Sequence, residues 1–405
     1  MRVLGIVALL AAAAWTGQAQ EPEANVNEKY TVESVELSGA DQSKLEKPVR
    51  EELRGLVGQN FSQQKLEELK KLIHKAFPDR PISIQVSRGS TPDHVKVTFA
   101  VGGRTKRFDL TAPLGVYQAQ QGWSGELDGT AQAHSTVLNV GAVSDGDSLL
   151  ERFTGMTVRV EDQQTGSDRV RLAFEFDSYH EMWNGATAAA PADLYRARQN
   201  FEPLATVALW RPLSLSVGAS FQRLQVQDPA ARTEAANAVI TTLRYDRQLE
   251  ESGPNKHRLE AGYGLRAATR TLASDFTYTR HTGDIRYTVW RGNHKLSERF
   301  QAGAIAGNAP LFERFALGNS DTLRGWNKYE IAPLGGNRVV CNSIEYRYRA
   351  FKVFYDAGAV WTSGQEAIVR HSVGAGVHYG ELALLVAFPL RNGRVEPVFI
   401  AGLNL

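Results

Sequence analysis

The chain has 405 residues, 22% of them charged, a formal net charge of +2 and a single cysteine, Cys341. That length admits about two or three domains. The near-neutral balance gives no electrostatic case for nucleic acid as a partner, and the lone cysteine excludes an internal disulfide. Past the N-terminus no stretch reaches the roughly 20 apolar residues of a transmembrane helix, so a helical membrane protein is excluded as well.

Residues 1–19 begin with Arg2, run apolar from Val3 to Trp15, and carry Gly17 and Ala19 at the small-residue spacing a signal peptidase accepts. They read as a secretory signal, followed by a linker at 20–28. An exported chain without disulfides fits a bacterial envelope.

From 29 to 103 the pattern is mixed α and β. In "YTVESVELSG", Val32, Val35 and Leu37 alternate loosely with polar residues and predict a strand. Leu45, Val49 and Leu53 follow at helical spacing up to Gly58, a candidate left-handed cap. A second helix is predicted from Ser62 as N-cap, with Leu66, Leu69 and Ile73 on one face. "PISIQVS" and "HVKVTFAV" then alternate with period two, as strands do. Strand, two helices and two strands make a small α+β domain with helices on one face of a short sheet. Its element order and the stretch "VGQNFSQQKLEEL" resemble a POTRA (polypeptide-transport-associated) domain.

After residue 103 the helical period gives way to runs of about ten residues in strict alternation. Met156, Val158 and Val160 make one apolar face; Val170, Leu172, Phe174 and Phe176 make another; Leu213, Leu215, Val217, Ala219 and Phe221 a third. The opposite positions carry Arg, Glu, Asp and Gln, too charged for the inside of a soluble sandwich. Trp183, Trp210, Trp290 and Trp361 fall near strand ends, where an interfacial girdle would place them. Residues 104–405 therefore predict a transmembrane antiparallel β-barrel, about 14 to 16 strands by the length available, with sixteen preferred.

Two charges test this reading. In "FKVFYDAGAVW" the period turns Val353 and Tyr355 to lipid and Phe354, Asp356 and Gly358 to the lumen, so Asp356 is not buried in hydrocarbon. In "VVCNSIEYRYR" the same rule turns Ser343, Glu345 and Arg347 inward. The preceding segment, 311–336, is too polar and glycine-rich for a strand; folded back into the lumen, it would let Arg324 reach Glu345 and Asp356. A planar guanidinium serves two carboxylates at once, and Gly325 permits the tight reversal that presents it.

"FALGNSDTLRGW", "SIEYRYR" and "FYDAGAVW", in this order ahead of the last strands, resemble the bacterial surface antigen superfamily of outer-membrane barrels, the family of BamA, TamA and the two-partner secretion transporters. The resemblance implies that Arg324, Gly325 and Trp326 form a motif on a loop inserted into the barrel, locked to Asp356 first and Glu345 second, with Phe354 packed on the guanidinium. It further implies a polypeptide client, captured by strand addition at an edge of the N-terminal sheet and inserted into, or passed across, the outer membrane. The edge is expected at "HVKVTFAV", through Val95, Val97 and Phe99. A periplasmic place for the N-terminal domain, the lipid bilayer and a periplasmic partner belong to the same expectation.

The competing readings are a passive pore or anchor that docks a periplasmic partner, and an enzyme. "GDSL" at 146–149 and "DSYH" at 177–180 are the one hydrolase-like combination, but both lie beside amphipathic strands. The nine histidines lack metal spacing, and no nucleotide motif is present. The chain is thus read as a non-enzyme with no catalytic residues, metal or cofactor.

Overall fold

The computed structural model describes residues 30–403, apart from 78–79, 103–107, 134, 146, 148–149, 164, 166–168, 184–193, 211, 228–231, 251–254 and 392–395. The signal and linker expected at 1–28 lie outside the described residues. The chain divides into two units, residues 1–106 and 107–405.

The N-terminal unit runs β1 (Thr31–Ser38), α1 (Lys47–Gly55), α2 (Gln63–Ala76), β2 (Ile82–Arg88) and β3 (His94–Val101). Its fold fits a POTRA-like domain. Pro48 sits in the first turn of α1, where its missing N–H costs nothing, and Gly58 has φ +82° in the turn beyond it. The Ser62 hydroxyl accepts from the Lys65 N–H at the start of α2. Leu53, Leu66, Leu69 and Ile73 pack on Val97 and Phe99. The loose alternation in β1 has a physical cause: its register shifts between Val32 and Ser34, which brings Val32 and Val35 to the same core.

The sheet order β1-β3-β2 corrects one expectation. β3 pairs with β1 on one side and β2 on the other, so Val95, Val97 and Phe99 lie on the central strand, and Val97 and Phe99 are fully buried. The strand with the most continuous apolar face takes the middle, where both its edges are bonded. The edges are β1 and β2. Part of the outer side of β1 is taken by the chain before α2, through Val32 N–H to the Gln59 carbonyl (2.9 Å) and Phe61 N–H to Tyr30 (2.8 Å).

The second unit is a closed antiparallel barrel of sixteen strands. In chain order they are β4 (Phe108–Gln118), β5 (Gly122–Ala133), β6 (Thr136–Ser144), β7 (Arg152–Asp162), β8 (Val170–Met182), β9 (Tyr195–Trp210), β10 (Leu213–Val226), β11 (Thr233–Ala235) with β12 (Ala238–Glu250), β13 (Asn255–Ala268), β14 (Thr277–Arg291), β15 (His294–Asn308), β16 (Arg338–Tyr348), β17 (Phe351–Trp361), β18 (Arg370–Tyr379), β19 (Leu382–Pro389) and β20 (Val398–Leu403). β11 and β12 are one span, interrupted where Asn237 turns its side-chain carbonyl to the Gln222 N–H, and both pair with β10.

Met156, Phe174, Val217 and Phe221 are exposed on the outside, as alternation predicted for a lipid-facing surface, while Arg159 pairs with Glu161 and Glu175 inside. Two of the tryptophans depart from the girdle expectation. Trp290 shares the interior cavity with Lys295, and the Trp183 indole donates to the Tyr195 carbonyl beside a buried cluster containing Phe312. Strand-end aromatics carry no mark of which face they serve.

Candidate functional site, a loop locked inside the barrel

Between β15 and β16 the chain leaves the wall for residues 309–337, closed at the base by reciprocal hydrogen bonds between Phe315 and Gly336 at 2.9 Å. The loop contains a 3-10 turn, Leu311–Glu313, and one short α-helix, α3 (Lys328–Ile331). Leu317, Leu323 and Trp326 supply its apolar interior against Val339, Cys341 and Val360 of the wall.

Arg324 stands at the tip. Its Nε and Nη2 donate to the two carboxylate oxygens of Asp356 at 2.8 and 2.6 Å, its backbone N–H donates to the same group at 3.2 Å, and Nη1 donates to Glu345. The guanidinium lies 3.6 Å from the Phe354 ring centre. Asp356 is 0% exposed, so this fork is the main compensation for a carboxylate otherwise cut off from water. The structure therefore brings Arg324, Asp356, Glu345 and Phe354 together. Gly325 has φ +85°, and a Cβ there would stand 3.0 Å from the Ala387 methyl. Trp326 donates from its indole N–H to the His371 carbonyl at 2.9 Å, and the guanidinia of Arg370 and Arg391 lie over its ring at 4.9 and 5.1 Å.

Three supporting residues were given no role in the lock by the sequence. Ser343 accepts from Arg324 and donates to Asp356 at 2.7 Å. Lys352 donates at 3.3 Å to the same Glu345 oxygen that Arg324 engages. Gly374 on β18 leaves room for Phe354, whose ring would lie 2.1 Å from a Cβ at that position. Cys341 is a buried thiol directed at the Thr322 carbonyl.

Further anchorages of the loop lie at Glu313 and Ser320. Its Glu313 is paired with Arg266 at 2.7 Å and Arg280 at 3.5 Å, and accepts from the Tyr278 hydroxyl at 3.1 Å. Next to it, Phe312 lies under the Arg198 guanidinium, which is held by Glu151 and Glu181. On the loop between β6 and β7, Asp147 accepts from the Ser320 N–H at 3.0 Å and from the Ser320 hydroxyl. Burial raises the Asp147 carboxyl above its ordinary range and pushes the nearby Lys328 ammonium down to about 8, partly offset by the carboxylates of Asp145 and Asp147.

Of the hydrolase-like combination, Gly146, Ser148 and Leu149 lie outside the described residues. Asp177 is buried, accepting from Asn200 and Tyr179, and His180 is on the opposite face of β8. That parity keeps the two side chains apart.

A closed sixteen-strand barrel, a loop drawn into its lumen and an arginine clamped to the inner wall define a class of outer-membrane barrel. The Omp85 superfamily domain matches residues 91–392, and the chain belongs to that superfamily. A BamA outer membrane protein assembly factor from Nitratidesulfovibrio vulgaris is 31% identical over 129 aligned positions, covering 25% of this chain and 16% of that one. In fold, the chain is similar to BamA from Haemophilus ducreyi lacking POTRA domains 1–3 (TM-score 0.61, 14% identity, 92% of this chain and 84% of that one). It is also similar to CdiB from Acinetobacter baumannii (0.52, 11%, 96% and 93%) and CdiB from Escherichia coli (0.53, 10%, 96% and 93%).

Proposed function

We propose that the chain receives an unfolded polypeptide at its N-terminal unit, on the periplasmic side, and inserts it into or passes it across the outer membrane through the barrel. The observation that carries this reading is the seam. Among the described residues β20 meets β4 through four residue pairs, Ile400 with Gln118 to Leu403 with Gly115, where β14 and β15 share fifteen. Each inter-strand hydrogen bond nets about 0.5–1.5 kcal/mol, so the barrel opens most cheaply here. The first half of β4, from Phe108 to Leu114, faces no β20 partner among the described residues. Such an edge accepts an added strand.

On the N-terminal unit the client's edge is β2, which pairs only with β3 among the described residues and exposes Val86. A pore or anchor gains nothing from a lumen closed by an anchored loop, which is why that reading ranks second.

The test joins Val116→Cys to Gly402→Cys across the seam in a Cys341→Ser background. Oxidation should stop client insertion and reduction restore it; undiminished insertion through an oxidised seam overturns the proposal. A photo-crosslinker at Gln85 of β2 should capture unfolded outer-membrane or secreted polypeptides in intact cells. Adducts confined to one folded periplasmic partner would favour the anchor.

A further inference from the structure

The barrel wall carries a basic surface of which the loop lock engages only part, Lys352 through Glu345 and Arg299 through Asp321. Lys256, Trp290, Lys295, Arg347 and Lys352 stand directly opposite one another on β13 to β17, one residue per strand. Four cations thus share a row with one aromatic ring, and Lys295–Arg347–Lys352 are direct cross-strand neighbours. Like charges so placed repel. A second row, four residues further along β15, sets Arg286 directly opposite Arg299.

The acidic groups nearby are largely engaged. Glu345 serves Arg324 and Lys352, Asp321 pairs with Arg299 at 3.5 Å, and Glu260, across from Arg286, is held by Arg258 at 3.3 Å. Arg286 and Arg347 make no ion pair among the described residues. Between the rows lie the small hydroxyls of Thr288 and Ser297, 3.2 Å apart, and the surface lines an interior cavity of about 690 Å³.

Two features identify what such a surface takes. The side chains point into the lumen, on the face opposite Tyr287, Leu296, Tyr346 and Val353, so lipid headgroups outside the wall do not meet them. The first row also stands two to four residues from the short turns 292–293 and 349–350, at the end where β4 begins and the chain enters the barrel. Carboxylates at alternate positions of an extended chain lie about 7 Å apart, a spacing that flexible Lys and Arg side chains on neighbouring strands can meet.

We infer that Lys295, Arg347 and Lys352, with Arg286 and Arg299 behind them, form a receiving site inside the barrel mouth for an acidic, extended segment of the client. The site deepens the transport reading and rests on it for the identity of its ligand.

The experiment uses the full chain in nanodiscs and a labelled synthetic peptide of alternating Glu and Ser, with a Lys–Ser peptide as its opposite. Fluorescence anisotropy should show selective binding of the acidic peptide. Lys295→Gln with Arg347→Gln should weaken it at least about tenfold and flatten its salt dependence, while Arg347→Lys keeps it. Heat-modifiable migration checks that each variant is folded, and single Lys295→Gln serves if the double variant is not. Unchanged affinity in the folded Gln variants overturns the inference. So does full displacement by inorganic phosphate at equal charge concentration, which would make the rows a simple counter-ion site. The β2 cross-link separates the two ideas. Client captured at β2 with peptide affinity indifferent to Arg347 sinks the receiving site alone; Arg347-dependent peptide binding with no client at β2 sinks the transport reading alone.

Discussion

The two main anchorages of the lumenal loop are electrostatic inversions of each other. At Arg324 the loop supplies the cation and the wall supplies Asp356 and Glu345; at Glu313 the loop supplies the anion and the wall supplies Arg266 and Arg280. The difference lies in what is left when the loop residue goes. Asp356 is fully buried and without Arg324 keeps the Ser343 hydroxyl at 2.7 Å but no cation among the described residues, whereas Arg266 keeps an opposite charge, Glu202 at 3.3 Å, as well as the Ser220 hydroxyl at 2.6 Å. Anchor strength is set less by the number of bonds than by whether the abandoned charge has another of opposite sign beside it.

The largest effect should come from Arg324→Ala, which strands a buried carboxylate and should cost about 3–5 kcal/mol of loop docking. It would register as protease cleavage within 309–337 and a rise in single-channel conductance. Wild-type resistance to protease would break the comparison at its strong end. Glu313→Gln should cost less, about 1–3 kcal/mol, because its arginines retain partners; an equal loss in denaturant unfolding would show that the anchors are equivalent.

Gly374→Ala acts on the strong anchor from behind. Its new methyl drives into Phe354, with an expected loss of about 1–3 kcal/mol, and pairing it with Phe354→Leu should recover part of that in a double-mutant cycle. Gly325→Ala strains a residue at φ +85° by about 1–2 kcal/mol. The smallest effect concerns pH. Between about 8 and the ordinary 10.5 the unfolded chain keeps the Lys328 proton and the folded chain gives it up, so stability should rise with pH across that window. Lys328→Met should flatten the rise in a pH series of unfolding midpoints.

The strong anchor was legible in the sequence because it is local. Arg324 sits in a motif, and strand parity turns Asp356, Glu345 and Phe354 to the same side. Glu313 was not legible, since its partners lie on β13 and β14 and no spacing joins them. Parity also revealed the buried face of β3 but not its place in the sheet: alternation says which side of a strand is covered, and sheet order says which edges are bonded. The same limit misplaced Trp290 and Trp183. For the basic row, parity placed Arg347 in the lumen, but only the register of three strands aligned it with Lys295 and Lys352.

The loop's attachments also matter as mechanics. It is tied to β13 and β14 by Glu313, to the loop after β6 by Ser320, and to β16 and β17 by Arg324, points that reach almost halfway round the ring. A hollow cylinder braced across its bore resists being flattened into an oval. Deformation imposed on this barrel cannot spread evenly around its circumference. With β18 tied through the Trp326 indole and the end of β19 through Arg391 and Glu330, it must gather in the arc from β20 to β5, which contains the joint of four residue pairs among the described residues.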